Sequence, residues 1–378
     1  MKHYIIFSAN YLPNLGGVER YTYNLAKKLV AKGHNVTVVT SNVDKIVNYE
    51  EQENIQTFRV PCINLLNGRF PVLKTNNEFF RLLKKLKNKQ YDLCIVNTRF
   101  YIHSLFGVLF GKKHSKKTIV IEHGTNHFTV NNKILDYLGH IYEHIITFII
   151  KSFCKEYYGV SLACNNWLKH YHINAISTLH NAIDIDDINY LLMNSDVNYI
   201  DKYELLKEST IITYTGRLVK EKGILKLIQA VNQITETNKN VYLFIAGNGD
   251  LFDKISTNCN SNIKVLGKLN FNQVVALLKQ TDIFCLPTDY PEGFPTSVIE
   301  AAACKCFIVT TDAGGSKELI INDEYGIILK ENSVKEIVNS INIAISNKDY
   351  IETAKQLSYE RCIKNFTWDI IADEVEKL

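Results

Sequence analysis

Residues 210–230 read TIITYTGRLVKEKGILKLIQA. Thr210 to Thr215 is a β-branched and aromatic run, Gly216 interrupts it, and from about Ile224 to Thr235 the apolar residues recur at helical spacing. A strand, a glycine turn and a helix in that order form the repeating unit of a parallel sheet. The rhythm continues with strands at Tyr242 to Ala246 and Ile263 to Leu266 and a helix at Phe271 to Lys279. A strand at Ile283 to Leu286 and a helix from about Thr296 to Ala303 follow.

The same alternation precedes it. Tyr4 to Ser8 reads as a buried strand, followed by Gly16-Gly17 and a helix carrying Tyr21, Leu25 and Leu29 that Gly33 ends. Strands are expected at His34 to Thr40, Leu93 to Asn97 and Thr118 to Glu122, and a helix from about Asn131 to Tyr158. The fold class is therefore α/β, with two Rossmann-like doubly wound domains joined near Leu179 to Asp186. Their strands' carboxyl ends are expected to face a shared cleft, the usual ligand position of such sheets.

A chain of 378 residues is long enough for two such cores. Its N-terminal apolar run is too short for a signal peptide, and the strongest apolar run, Ile145 to Ile150, stops at Lys151, short of a membrane span. Nine cysteines occur without a CxxC pair, so neither a zinc site nor a disulfide framework is expected, and a reducing cytoplasm is. The net charge of +4 conceals an asymmetry: residues 1–180 hold 23 basic and 11 acidic side chains, net +12, and the remainder is net −8. No aromatic-basic motif accompanies the basic half, which argues against nucleic acid. An anionic membrane surface or a phosphorylated acceptor fits it better.

Pro291-Glu292-Gly293-Phe294-Pro295-Thr296-Ser297-Val298-Ile299-Glu300 joins a strand to a helix. Free N–H groups at that helix start favour an anion, phosphate above all. Glu292 and Glu300 flank it and can accept hydroxyl hydrogen bonds; the plain alternative is a capping Glu300 and a solvated Glu292. Arg217 and Lys222 leave the strand end at Gly216, and together suit a diphosphate leaving group without a metal; the alternative is a solvated basic loop. Ala246-Gly247-Asn248-Gly249-Asp250 is a further strand-end glycine turn. His123, before Gly124, ends an apolar strand, a site-facing position that a structural histidine can also fill. Asp184-Ile185-Asp186-Asp187 resembles a metal-binding acidic run but falls in the joint and reads as linker.

In order, Gly16-Gly17-Val18-Glu19-Arg20, Glu122-His123-Gly124-Thr125, His180-Asn181-Ala182-Ile183-Asp184, Gly216-Arg217 with Lys222-Gly223, Gly247-Asn248-Gly249, and Glu292 and Glu300 with seven residues between them span nearly the whole chain. With Asp312-Ala313-Gly314-Gly315, Glu318-Leu319-Ile320 and Phe366-Thr367-Trp368, this succession resembles the retaining glycosyltransferases of family 4, which have the GT-B architecture. The resemblance implies domains at 1–180 and 181–363, the second binding the nucleotide-sugar donor, with a last helix at 364–378 crossing back to the first. It implies that Arg217 and Lys222 hold the donor diphosphate with backbone N–H groups around Gly16, Gly17, Gly216, Gly247, Thr296 and Ser297. Glu300 would take the ribose, and Glu292 with the Gly293-Phe294 backbone the transferred sugar. His123 would sit beneath that sugar. Pro295 stands where many members have glycine, and Cys304-Lys305 replaces the usual small residues, so the sugar pocket departs from the common pattern.

The activity implied is hexosyl transfer with retention, with no metal and no other cofactor, to a glycan or lipid-linked acceptor in cell-surface polysaccharide assembly. The expected location is the cytoplasm, peripheral on the inner face of the membrane. A nucleotide-sugar epimerase, a phosphorylase, or a non-catalytic nucleotide-sugar or membrane-surface binding protein are the competing readings. A dinucleotide dehydrogenase is not, because no G-x-G-x-x-G follows the first strand.

Overall fold

Tyr4, Ile5, Ile6 and Phe7 are all fully buried, which is the signature of a strand covered on both faces, and they build β1 (His3–Phe7) at the middle of a sheet. In a computed structural model describing residues 1–14 and 16–378, that sheet also holds β2 (Asn35–Ser41), β3 (Tyr49–Gln52) and β4 (Ile55–Val60). After a small antiparallel pair, β5 (Cys62–Leu65) with β6 (Phe70–Leu73), come β7 (Tyr91–Asn97), β8 (Ser115–Glu122), β9 (Tyr157–Gly159) and β10 (Ser177–Thr178). The order is β10-β9-β8-β7-β1-β2-β4-β3, parallel throughout except for β3 against β4.

A second sheet, ordered β13-β12-β11-β14-β15-β16, is wholly parallel. It comprises β11 (Thr210–Thr215), β12 (Val241–Ala246), β13 (Ile263–Gly267), β14 (Ile283–Leu286), β15 (Phe307–Thr311) and β16 (Ile327–Leu329). Its core is built from strand residues such as Ile212, Leu243 and Phe284 with Leu227 and Val231 of the Ile224–Thr237 helix. The order in which strands are added reverses at β1 in one sheet, between β2 and β7, and at β11 in the other, between β12 and β14. Loops that leave the carboxyl ends of those central strands are where ligands bind in such sheets.

Two compact units result: Met1–Asn181 with Trp368–Leu378, and Ala182–Thr367. Residues 364–367, read from sequence as the start of the returning helix, stay in the second unit. The Lys348–Asn365 helix ends there, Ile183 donates to the Phe366 carbonyl and bridges to Thr367, and the returning helix begins at Trp368.

Two elements differ from the expectation. The Asn131–Tyr158 helix is the helix Lys133–Phe153, closed by an extended Cys154, and Tyr157 instead enters β9 fully buried between β8 and β10. The acidic run at 184–187 is a helix start: Asp184 caps Ile185–Asn194 by accepting from Asp187 N, and Asp186 and Asp187 lie in its first turn, where the dipole favours them.

Candidate functional site

In the second unit, β11 and β14 are neighbours, so the loops after Thr215 and after Leu286 emerge side by side. Asp289 N donates to the Glu221 carbonyl at 2.7 Å, which ties the two loops together. The Lys222 ammonium pairs with the Glu292 carboxylate, and Thr288 Oγ1 donates to the same oxygen at 3.4 Å. Arg217 projects outward with its guanidinium 5.0 Å from the centre of the Tyr290 ring, and Lys222 lies 5.3 Å from it on a cation–π contact. Two cations thus share an aromatic platform, and one of them is paired with a carboxylate. Sequence reading selected Arg217, Lys222 and Glu292 without foreseeing Tyr290 or the direct pairing.

The Thr296–Ala303 helix starts at Pro295, whose fixed φ of −65° and missing N–H suit the entry to a helix. Thr296 and Ser297, in its first turn, have N–H groups that no helical carbonyl can reach. Phe294, just before the helix, is buried with its ring edge-on against Phe366 at 5.0 Å. Glu300 is buried, one turn in. The Gly293 carbonyl accepts from Gly315 N at 3.1 Å. Gly314 makes that approach possible: its φ is +57°, and a Cβ there would stand 2.4 Å from the same carbonyl oxygen. Gly247 is equally constrained, since a Cβ would fall 1.8 Å from the Gly216 carbonyl. Gly216 N donates to Ala246 O and Gly247 N to Gly267 O, so both glycine turns are fixed by lateral bonds. Thr215 and Ser316 hydroxyls, at the edges of these turns, are buried without a hydrogen-bond partner among the described residues, the kind of group a polar ligand satisfies.

In the first unit, Gly16 and Gly17 open the Gly17–Ala31 helix, and Arg20 N donates back to Gly16 O. The Glu19 carboxylate folds over them and accepts from the Gly16 and Glu19 N–H groups; burial nevertheless raises its pKa. An anion at this helix start competes with that carboxylate, a partner the sequence reading did not weigh.

His123 leaves β8 with its Nε2 2.9 Å from Asn97 Oδ1, on the neighbouring strand, and its ring edge-on to Tyr21 at 4.8 Å. Asn97 Nδ2 donates to Thr22 Oγ1 at 2.8 Å, and Thr22 Oγ1 donates to Val18 O. This chain fixes the roles: Asn97 Oδ1 can only accept, so His123 carries its proton on Nε2 and presents Nδ1 as an acceptor. Desolvation lowers its pKa to about 3, so the ring is neutral.

Glu122 turns inward and is not free to act as a base. Arg99, Glu122 and Glu143 are at most 2% exposed. Arg99 donates to Glu122 Oε2 at 2.8 Å and to Glu143 Oε2 at 3.0 Å, with its guanidinium 3.9 Å above the Tyr171 ring. Glu122 Oε1 accepts from His123 N and Gly124 N, and Glu143 Oε1 from Phe128 N. One arginine and two carboxylates therefore hold the backbone that carries His123. No motif signals this, because its members lie on β8, a loop and a helix far apart in sequence.

His103 is likewise buried, donating to Val39 O, and its pKa is lowered to about 4 by burial. Both imidazoles are neutral when folded and have the ordinary value near 6.5 when unfolded. Below pH 6.5 unfolding takes up protons that the native state lacks, so their contribution is complete above 6.5 and is lost as pH falls toward 4. Urea unfolding is expected to show a loss of stability between pH 7 and 5 that is smaller in His103→Gln. An equal loss in that variant would assign the proton uptake elsewhere.

Comparisons with known proteins agree with this geometry. Residues 15–187 match the family described as Glycosyltransferase Family 4, and residues 196–363 the family described as Glycosyl transferases group 1. An uncharacterized glycosyltransferase of Methanocaldococcus jannaschii is 26% identical over 99% of this chain and 97% of its own length. The GPI3 subunit of phosphatidylinositol N-acetylglucosaminyltransferase from Saccharomyces cerevisiae is 25% identical over 89% of this chain and 73% of its own. The capsular polysaccharide biosynthesis glycosyltransferase CapM of Staphylococcus aureus is 27% identical over 57% of this chain and 60% of its own. Among solved structures, a sucrose-phosphate synthase of Thermosynechococcus elongatus superposes with a TM-score of 0.77 at 16% identity, covering 100% of this chain and 98% of that one. Anabaena HepE, solved with UDP, gives 0.74 at 16% identity, covering 100% and 99%. With two parallel sheets, the glycine turns of the second unit and matches that between them span almost all of its length, the chain belongs to the family 4-type glycosyltransferases and has their GT-B fold of two Rossmann-like units.

Proposed function

We propose that this glycosyltransferase moves a hexosyl group, with retention and without a metal in the reaction, from a nucleoside-diphosphate sugar to a lipid-linked glycan in cell-surface polysaccharide assembly. The observation that carries the reading is the cation pair of Arg217 and Lys222 over Tyr290, beside the Thr296–Ala303 helix start. Basic side chains there take the diphosphate's charge, a task a divalent ion performs in other sites. HepE structures with UDP and with UDP-glucose support a nucleotide-sugar donor, and the names of GPI3 and CapM support a lipid or polysaccharide acceptor.

In the proposed front-face displacement, the bond from the anomeric carbon to the diphosphate oxygen breaks as the acceptor oxygen bonds to that carbon on the same face. The acceptor's proton passes to the departing diphosphate oxygen. Arg217 and Lys222 stabilise the developing charge, with the N–H groups of Thr296 and Ser297. Gly16, Gly17, Gly216 and Gly247 let the backbone approach the donor closely, and Glu300 accepts from its ribose. Binding shifts Lys222 toward phosphate and frees Glu292 to accept, with the Gly293-Phe294 backbone and Pro295, around the sugar. Neutral His123 accepts a sugar hydroxyl hydrogen bond at Nδ1, and its role is positioning rather than proton transfer.

A screen of UDP-, GDP- and ADP-sugars for slow hydrolysis in EDTA tests donor and metal together, since hydrolysis needs no acceptor. One donor is expected to be hydrolysed with chelator present; activity abolished by EDTA and restored by magnesium or manganese would overturn the metal-free displacement. With the acceptor supplied, an isomerised donor or a free sugar phosphate would identify an epimerase or a phosphorylase instead.

The acceptor reading rests on a surface of the first unit. Along the Lys133–Phe153 helix, Ile134, Leu138, Ile141, Ile145 and Phe148 recur at helical spacing and all are exposed, Ile134 by 74% and Phe148 by 65%, with Tyr137 beside them. Ile146 and Ile150 face inward, so the helix is apolar on both sides. Such a stripe on a soluble surface marks an interaction site. Lys112 and Lys151 stand 5.1 and 5.8 Å from the rings of Phe153 and Phe148, an arrangement that suits the boundary of an anionic bilayer. Among the described residues no helix is long and apolar enough to cross a membrane. Of the lysines in the basic half, Lys116 pairs with Asp92 and Lys117 with Glu156, so the apolar stripe carries more of the proposed contact than the charge count suggested. Binding to vesicles containing anionic lipid is expected to fall when Leu138, Ile145 and Phe148 become serine, and less so with Lys112→Gln and Lys151→Gln. Negligible sedimentation with anionic vesicles at low salt would remove the membrane and point to a soluble acceptor.

A further inference from the structure

Three imidazoles that glycosyl transfer does not use converge in the first unit. His127 lies in the loop after β8, His144 on the Lys133–Phe153 helix and His170 on the short turn Lys169–Tyr171. One ring nitrogen from each falls within 4.8 Å of the others. His144 Nε2 and His170 Nε2 are 3.2 Å apart, close to the roughly 3.3 Å that separates two nitrogens on one tetrahedral ion with bonds of about 2.0–2.1 Å.

The surroundings orient these rings as a ligand set requires. His127 Nδ1 is 3.1 Å from Glu143 Oε2, and Glu143 is itself held by Arg99 and by the Tyr171 hydroxyl at 2.9 Å. A carboxylate that takes the Nδ1 proton leaves Nε2 with the lone pair, the arrangement found behind metal-ligating histidines. His170 is stacked on Trp167 at 4.8 Å and 7°, and His127 on His140 at 4.0 Å and 23°.

We infer that His127, His144 and His170 bind one divalent transition-metal ion of the imidazole-preferring kind, such as zinc or cobalt, with water completing the coordination. The ion would join three separate segments: the 123–128 loop, the long helix and the turn before His172. Through Glu143, Arg99 and Glu122 it would stiffen the backbone that carries His123, and it takes no part in the transfer chemistry. The site rests on none of the donor-site assignments.

The test uses the full, tag-free chain, stripped with EDTA, dialysed, and titrated with zinc by calorimetry and with cobalt by visible absorption. One equivalent of either metal per chain is expected, at micromolar affinity or tighter, with cobalt d–d bands of a low-coordinate nitrogen site. His144→Gln and His170→Gln should each weaken binding by about tenfold or more, and the double variant should lose it. His172→Asn is the control on the same turn: His172 is exposed with φ of +54°, which asparagine tolerates, and it should bind as the unaltered chain does. Zinc should raise the Tm of the parent and not of the double variant, whose fold circular dichroism verifies. Absence of a tight equivalent in the parent, or binding unchanged in the folded double variant, would overturn the site and leave a proton-sharing histidine cluster. Because the readout is binding, it is separable from the donor screen. EDTA-sensitive turnover that persists in the double variant would count against the metal-free displacement alone.

Discussion

Arg217→Ala is expected to lower kcat by about 10²–10³-fold, or roughly 3–4 kcal/mol, the scale of one preorganised donor to developing charge. The guanidinium is exposed and, like the Lys222 ammonium, lies against the Tyr290 ring, so its removal is expected to leave the fold intact and to take away one of the two cations proposed for the diphosphate. Steady-state kinetics on the folded variant with the donor found by the hydrolysis screen make the comparison. Arg217→Lys should recover part of the loss, since an ammonium restores charge without the planar fork or the stacking. Near-normal turnover in the alanine variant would move the diphosphate elsewhere.

Arg99→Met is expected to cost about 3–5 kcal/mol of stability, because it leaves Glu122 and Glu143 buried without their cation. Urea unfolding measures it. Adding Glu122→Gln and Glu143→Gln should recover part of the deficit by neutralising both groups, which separates an electrostatic penalty from a packing defect. A loss under 1 kcal/mol would show that water reaches the two carboxylates. The expected secondary effect is on His123, whose backbone N–H donates to Glu122.

What could be read in advance follows from the range of each interaction. Strands such as Thr210–Thr215 and Ile283–Leu286 are local patterns, and Gly216 and Gly247 punctuate them, so the second unit was legible from residue types in sequence. The pairing of Lys222 with Glu292 joins residues on two adjacent strand ends, and only strand order brings them together. Asn97 and Thr22, which set the His123 tautomer, belong to a strand and a helix with no motif of their own. The Lys133–Phe153 helix misled at its end because aromatic and aliphatic residues occupy most faces, and periodicity then cannot tell Tyr157 in a helix from Tyr157 in a strand. The short strands β3 to β6 were unread for a related reason, since four to six residues barely register a period. Cysteine spacing and the acidic run at 184–187 were the metal signals in the sequence, and the convergent histidines have no spacing rule.

The last helix, Trp368–Glu376, is an integral part of the first unit: Trp368 is buried edge-on against Tyr21, Asp369 pairs with Lys28, and the Glu376 carboxylate accepts from His34 and Lys32. On a translating ribosome, where folding ordinarily proceeds from the N-terminus, this reverses the order of completion. Residues 182–367 are an uninterrupted stretch and can close as they emerge, whereas the unit synthesised first has to wait, with the Tyr21 face uncovered, for residues 368–376 to leave the exit tunnel. Nascent chains stalled before Trp368 would therefore carry a finished second unit behind an unfinished first one, and a chaperone that recognises exposed apolar surface would find its client at the older end of the chain.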